Sequence, residues 1–392
     1  MVSTLISAEI AQQVLERFRA RQESIESFIK VLVETESPSG DVAGSRAMVN
    51  KLAEVAEKLP CVSGIVRHDV AGFGEHLVIN AFSENSEAGQ ILIVGHTDTV
   101  HSLGSVAARP WRKEDGRIYG PGIFDMKGSC AMALEVLRTM ETLNLKPRRA
   151  ITIVLTCDEE VGSQSGWPLI EQTAKARNTV CSLVMEPPAP GGRVKTGRKG
   201  TGIFSIKVEG KAAHAGLDPE KGASAILELA RQTERLHAIN QSGSGITLNV
   251  GVVRGGTRSN VVAAEAEGEV DIRFSTENEL QEVERLMSSL QSIDERVKVS
   301  VFGGINRPPL ERTPAVVGLF ETARSVAALI DFQLDEAQVG GASDGNFIAA
   351  LGIPVLDGLG ISGDGAHANH EHILAADIST RGTILTGLLL AQ

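Results

Sequence analysis

With 392 residues the chain exceeds what one ordinary hydrophobic core supports, so two domains are expected. Hydrophobic residues make up 42% and charged ones 22%, the proportions of a globular protein, and the longest uninterrupted apolar runs, 326–330 and 347–351, are far too short to cross a bilayer. The 38 Lys and Arg against 49 Asp and Glu leave a formal charge of −11, which repels phosphate backbones and argues against nucleic acid as a partner; a small-molecule substrate is expected instead.

Along residues 1–21, Glu9, Gln12, Gln13 and Glu16 interrupt the apolar positions, which predicts a helix where a signal peptide needs an unbroken apolar stretch. Cys61, Cys130, Cys157 and Cys181 form no close-spaced pair, so neither a disulfide framework nor a thiolate zinc site is expected. Both observations favour a reducing, cytoplasmic setting. Short β-branched runs at 91–95, 150–156 and 180–185 predict strands, and Met132, Val136, Leu137 and Met140 predict a helix over 129–143. This is the pattern of an α/β layer around a buried sheet.

After Thr201 the texture changes. A strand (202–209), a helix (222–238), two strands (247–254 and 264–274), a helix (277–290) and a strand (296–302) give the order β-α-β-β-α-β, the split βαβ sandwich. From Pro308 the helix-then-strand pattern resumes over 315–330 and 347–356. The expected layout is therefore a larger domain, 1–197 with 309–392, interrupted by an inserted domain over 198–308.

Chemistry-bearing residues cluster at the ends of apolar segments. His96 follows the strand at 91–95, and Asp98, two residues on along extended chain, shares its face; His96 can offer one ring nitrogen to a metal while Asp98 engages the other. Asp125 stands in a Gly-rich turn ahead of the 129–143 helix, where a carboxylate could bridge two cations. Glu159 and Glu160 close one strand and Glu186 the next, and adjacent carboxylates at a strand mouth repel unless a cation or shared proton intervenes. Each has a plain structural alternative: a polar strand end, a helix N-terminal acid or a solvated acidic turn. Their coincidence at strand ends points to a site, because the ligand crevice of an open α/β sheet lies there. A further ligand is sought in the loop 365–372, which offers His367, His370 and His372 or a merely solvated loop.

The segments Gly95-His-Thr-Asp-Thr-Val100, Gly120-Pro-Gly-Ile-Phe-Asp-Met-Lys-Gly128, Asp158-Glu-Glu-Val-Gly162, Met185-Glu-Pro187 and Gly210-Lys-Ala-Ala-His-Ala-Gly216, together with Val33-Glu-Thr-Glu-Ser-Pro-Ser-Gly40, resemble the successive signatures of the co-catalytic dizinc metallopeptidases. That family includes glutamate carboxypeptidase, aminoacylase, acetylornithine deacetylase and succinyl-diaminopimelate desuccinylase. The resemblance spans nearly the whole chain. It implies a zinc-exopeptidase-like catalytic domain, a mixed sheet flanked by helices, with an inserted ferredoxin-like domain through which two subunits pair. It also implies roles: His96 and Glu186 on one metal, Glu160 and a C-terminal histidine on the other, Asp125 bridging, Glu159 as general base and Asp98 as the partner of His96. His367, followed four residues later by Glu371, fits the family pattern better than His370. His214 would reach into the neighbouring subunit's site. Asn260, Arg273 and Arg307 would bind the substrate's free carboxylate, although Ala263 stands where relatives commonly carry proline.

The expected activity is hydrolysis of an amide bond, with two divalent ions, zinc first and manganese or cobalt admitted. Release of a C-terminal glutamate or aspartate from a small peptide or N-acyl amino acid is favoured over N-acyl amino acid deacylation. One rival comes from another enzyme class: Gly341-Ala-Ser343-Asp-Gly345 matches G-x-S-x-G, with Asp357, Asp364 and His367 following in the order a nucleophile elbow requires. It leaves the acidic cluster unexplained. A binder that has lost the chemistry would lack a ligand or the base, and every expected position is filled. No complete dinucleotide or P-loop glycine pattern occurs.

Overall fold

The computed structural model describes residues 6–392; residues 1–5 of the expected N-terminal helix lie outside the described residues. The chain divides into two compact units. The larger holds the described residues up to Thr196 with Arg312–Val339 and Ser343–Gln392, and the smaller holds Gly197–Glu311 with Gly340–Ala342. The short return segment belongs to the smaller unit because Arg198 donates to the carbonyls of Gly341 (3.0 Å) and Ala342 (3.2 Å).

The larger unit is built on a six-stranded sheet in the order Val62–Val70, Gly74–Ala81, Ala150–Thr156, Gln90–His96, Thr179–Val184, Val355–Leu356. The first three strands pair antiparallel and the last four parallel. Both central strands, Gln90–His96 and Ala150–Thr156, are buried at every residue, which is why they read as continuous apolar runs. The helices Gly128–Thr142 and Asp377–Ala391 are buried nearly all round, and the second keeps its buried Arg381 paired with Asp377 at 3.0 Å. Asp377–Ala391 packs on Ala8–Ala20, Gly128–Thr142 and Pro314–Ala328, so Leu385 and Leu388 share one core with Phe18, Ile93 and Ile153. Each such buried aliphatic side chain contributes about 1.5 to 3 kcal/mol.

Strand register positions the site. Val94 lies opposite Val184 and His96 opposite Thr156 in parallel pairs. Glu186, two residues past Val184, is thereby level with His96, and the Glu159-Glu160 turn leaves the same edge of the sheet. A small antiparallel sheet supplies the rest: the hairpin Gly363–Asp364 with His372–Leu374 pairs against Arg117–Tyr119, with His372 opposite Tyr119. The loop bearing His367 thus lies beside the turn that begins at Gly120.

The smaller unit is a four-stranded antiparallel sheet in the order Thr247–Gly255, Glu265–Phe274, Gly200–Glu209, Lys298–Arg307, with helices Ala225–His237 and Glu277–Ser288 in the expected chain order. Phe204, Ile206 and Val208 alternate inward and join Leu229, Ile272 and Val283 in a separate core. Ser224 caps the first helix and a Thr276/Glu279 capping box starts the second. The last strand runs to Arg307 instead of ending at Phe302. Gly303 takes φ +96° against Ile203, where an added Cβ would lie 2.2 Å from a carbonyl oxygen, so the glycine continues the strand instead of ending it. Among the described residues no helix is long and apolar enough to cross a membrane, and all four cysteines are buried and free.

Candidate metal centre

The turn carrying Asp125 is held on both sides. Gly122 takes φ +70°, and a side chain there would meet the Thr99 methyl at 2.5 Å, so the loop closes this tightly only with glycine. On the other side, the buried Glu371 carboxylate accepts the backbone N–H groups of Gly122 (2.8 Å), Phe124 (2.9 Å) and Asp125 (3.0 Å). The Asp125–Met126 peptide bond is cis.

Two groups of potential ligands meet at Asp125: His96, Asp125 and Glu186, and Asp125, Glu160 and His367, the ligand atoms of each lying within 4.8 Å of one another. Asp125 Oδ1 is 3.2 Å from His96 Nε2 and its Oδ2 is 3.5 Å from His367 Nε2. Glu186 Oε1 is 3.5 Å from His96 Nε2, and Glu160 Oε2 is 3.1 Å from His367 Nε2. His96 Nδ1 faces the carbonyl of Asp98 at 3.0 Å, which only a protonated Nδ1 satisfies. The Nε2 lone pair is then directed at the carboxylates, the orientation of a metal-binding imidazole.

The electrostatics call for positive charge. Burial disfavours the charged ring of His96, yet its bonds to Asp125, Asp98 and Glu186 hold its pKa well above the usual value. The bond to Asp125 leads in raising His367 to about 9, against burial and with help from Glu160. Burial pushes Glu160 up to about 7. Its Oε1 is buried with no hydrogen-bond partner, a deficit that costs about 1 to 3 kcal/mol in a neutral setting and that a cation removes. The donor set, its sharing of one carboxylate and this orphaned oxygen together fit a pair of divalent ions.

Asp98 does more than its sequence pattern suggested. Its carboxylate accepts the N–H groups of Glu159 and Glu160, both at 3.2 Å, and the hydroxyl of Ser39 at 2.6 Å, besides lying 3.4 Å from His96 Nδ1. It therefore ties the end of one strand to the turn leaving the next. Glu159 belongs to neither trio among the described residues, although it adjoins Glu160. Of the loop histidines, His367 joins a trio and His370 does not; His367 takes φ +63°, uncommon outside glycine.

The sequence pattern of peptidase family M20/M25/M40 matches residues 92–391. The chain belongs to that family. It is similar to Carboxypeptidase G2 of a Pseudomonas species, 28% identical over 89% of this chain and 84% of the relative. It is also similar to a succinyl-diaminopimelate desuccinylase of Alkalilimnicola ehrlichii, 31% identical over 81% of this chain and 87% of that one. In fold it resembles the crystal structure of aminopeptidase PepT from Bacillus cereus, with TM-score 0.77 at 22% identity over 94% and 98% of the two chains. As a member of peptidase family M20 the protein is a metal-dependent hydrolase of peptide or related amide bonds.

The remaining expected site residues of this M20 chain lie in its smaller unit and fall into two groups. Arg273 and Arg307 both pair with Thr201, on opposite sides of the strand Gly200–Glu209, and so share one row of the sheet. Asp271 occupies the fork of Arg273 bidentately at 2.7 and 2.8 Å. Asn260 does not join them: its carbonyl accepts the N–H of Ala215, and Val261 bridges His214, past the far end of the same strand. Eight residues of extended chain separate the groups by about 26 Å. One small substrate therefore cannot touch both groups of a single chain, so Asn260 could join Arg273 and Arg307 only across two copies.

Ser343 is not a nucleophile in this arrangement. It is fully buried, donates to Asp357 at 2.7 Å and accepts the Gly345 N–H at 3.1 Å, capping the helix Asp344–Ala350. Sequence reasoning gave Ser39 no role, although its hydroxyl donates to Asp98, and the His-x-x-x-Glu spacing marked Glu371 without revealing the backbone amides it holds.

Proposed function

We propose that the chain hydrolyses an amide bond to release a C-terminal amino acid, glutamate or aspartate favoured, from a small peptide or N-acyl amino acid. The observation that carries this reading is the meeting of two ligand trios at Asp125 with Glu159 alongside in neither. His96, Asp125 and Glu186 would hold one ion, and Asp125, Glu160 and His367 the other, zinc first with manganese or cobalt admitted. Two such ions, when bound, polarise a carbonyl and make a nearby water acidic. Glu159 takes a proton from the attacking water and passes it to the nitrogen of the departing amine. Its tether to Asp98 restrains the turn while the proton moves.

His214 accepts the Gly216 N–H at Nδ1 (3.1 Å), which leaves Nε2–H as a neutral donor suited to the carbonyl oxygen. Arg273 and Arg307 take the substrate carboxylate, for which a planar guanidinium is the matching group. The separation of His214 from the arginine row supports the reading that His214 serves a second copy of the chain. Exposed Val252 and Val253 on the edge strand Thr247–Gly255, with Ile226 and Leu227 on the neighbouring helix, support pairing of two copies through the smaller unit. The four buried free cysteines suit a reducing, cytoplasmic setting.

The likeness to a carboxypeptidase and to a desuccinylase keeps N-acyl amino acid deacylation as the second reading. A panel of peptidyl and N-acyl amino acids, read by released amino acid, separates the two. Replacing Glu159 with Ala should lower kcat roughly 100- to 10,000-fold while both ions stay bound. Surviving turnover overturns the base assignment.

A further inference from the structure

A buried chain of side chains holds the flanks of the Glu159-Glu160 turn; it includes no member of either ligand trio, and its His76 and Ser165 lie outside the family motifs. His76, on the strand Gly74–Ala81, is 2% exposed. Its Nδ1 accepts the backbone N–H of Cys157 at 3.1 Å, so that nitrogen carries no proton and the remaining ring proton sits on Nε2. Nε2 faces Ser165 Oγ at 3.1 Å. Ser165 Oγ in turn donates to Asp158 Oδ2 at 2.7 Å, which spends its only proton and leaves it an acceptor for His76. The three side chains therefore read in one direction: imidazole N–H to hydroxyl, hydroxyl to carboxylate.

Asp158, fully buried, also accepts the N–H groups of Ser165 (2.7 Å) and Gly166 (3.2 Å), at the start of the helix Gly166–Ala176, and its carbonyl accepts that of Ser163 (2.8 Å). His76 thus touches the chain on both sides of the acidic turn, directly at Cys157 before it and through Ser165 after it. Asp98 grips the same turn at the amides of Glu159 and Glu160. Burial keeps the His76 ring below its usual pKa, in agreement with the neutral tautomer that the hydrogen bonds require.

We propose that His76 is a positioning residue for the hydrolytic reaction, clamping the Asp158–Val161 turn from behind in one neutral tautomer and so fixing the carboxylates of Glu159 and Glu160. This rests on the proposed role of Glu159. Asp98 holds the turn's own amides and His76 the residues that flank it, so loss of either lets the base drift; a displacement of about 1 Å at a reacting group costs up to roughly 100-fold in rate.

The test uses three substitutions of His76, with Ser165→Ala beside them, in the metal-loaded full chain. His76→Leu removes both contacts, His76→Asn restores an acceptor near the Nδ1 position, and His76→Gln restores a donor near Nε2. His76→Leu should lower kcat roughly 10- to 100-fold with KM changed less than about twofold. His76→Asn and His76→Gln should each recover part of the loss. Combining Ser165→Ala with His76→Leu should add little, because both break one chain. Amide hydrogen exchange over 157–166 should quicken in His76→Leu and Ser165→Ala, and this readout does not depend on activity. Unchanged exchange in that segment, or kcat within twofold of the parent, overturns the proposal. If His76→Leu does not fold, the Asn and Gln variants decide it: full activity and unchanged exchange in both overturn it, and a partial loss in both supports it. Faster exchange combined with full turnover in Glu159→Ala instead removes the base assignment and leaves the clamp standing.

Discussion

Glu371 accepts the backbone N–H of Asp125 at 3.0 Å, so an acid outside both ligand trios orients the one residue they share. The same carboxylate receives Gly122 and Phe124 and pairs with His101 Nε2 at 2.6 Å. Replacing Glu371 with Ala strands these donors in a buried site and should destabilise the protein by about 3 to 5 kcal/mol. Glu371→Gln keeps one acceptor and should lose about half as much. Calorimetric unfolding measures the first effect; titration with a divalent ion should show affinity weakened about 10- to 100-fold. Unchanged affinity in Glu371→Ala removes its orienting role.

The shared carboxylate also sets expectations for metal content. Asp125→Ala should deplete both sites, whereas His96→Ala and His367→Ala should each deplete one. Elemental analysis after gel filtration distinguishes these outcomes, and a chelator should abolish turnover until the ion is returned. Free ion at a hundredfold excess over its Kd should raise the unfolding free energy by about 2.7 kcal/mol for each site filled.

Burial raises the thiols of Cys61 and Cys181 to about 12 from the ordinary 9.0. The folded state holds these protons longer than the unfolded chain does, so their contribution to stability is complete below pH 9 and lost progressively as pH rises towards 12. Denaturant midpoints should fall across that window, and by less in a Cys61→Ala, Cys181→Ala double variant. At pH 8 a thiol-directed reagent should label the native chain slowly and all four cysteines after denaturation.

Arg307 is nine-tenths buried at the end of its strand, whereas Asp271 already grips the fork of Arg273. Arg307→Ala should therefore raise KM roughly 10- to 100-fold for substrates with a free carboxylate and change kcat less. Equal KM for carboxylate and carboxamide substrates in the parent would remove this role from both arginines.

His96 and Glu186 stood out at the ends of apolar strands, Glu160 in the acidic turn after one and Asp125 at the turn into a helix, and parallel register levels 96 with 186. His367 needed its motif, since only a hairpin paired against Arg117–Tyr119 brings that loop beside Asp125. The inserted sandwich followed from the order of its elements. What failed to show is equally physical. Glu371 and His76 act on backbone amides far away in sequence, and a backbone amide carries no residue-type signal. A motif does not say at which end of a strand it falls, so the separation of Asn260 from the arginines within one chain did not show, and Phe302 looked like a strand end because Gly303 and Gly304 read as punctuation.

The interruption of the larger unit by the smaller one imposes an order on assembly. During synthesis the trio of His96, Asp125 and Glu186 is complete in sequence before the inserted unit begins, and every strand of that unit has been made by Arg307. The second trio must wait for His367, and the core around Phe18 for Leu385 and Leu388. N-terminal segments generally fold first on the ribosome. The centre is therefore completed only after an entire domain has been made, and a chain stalled before His367 also lacks Glu371, so even its first trio is without the carboxylate that holds the Asp125 turn.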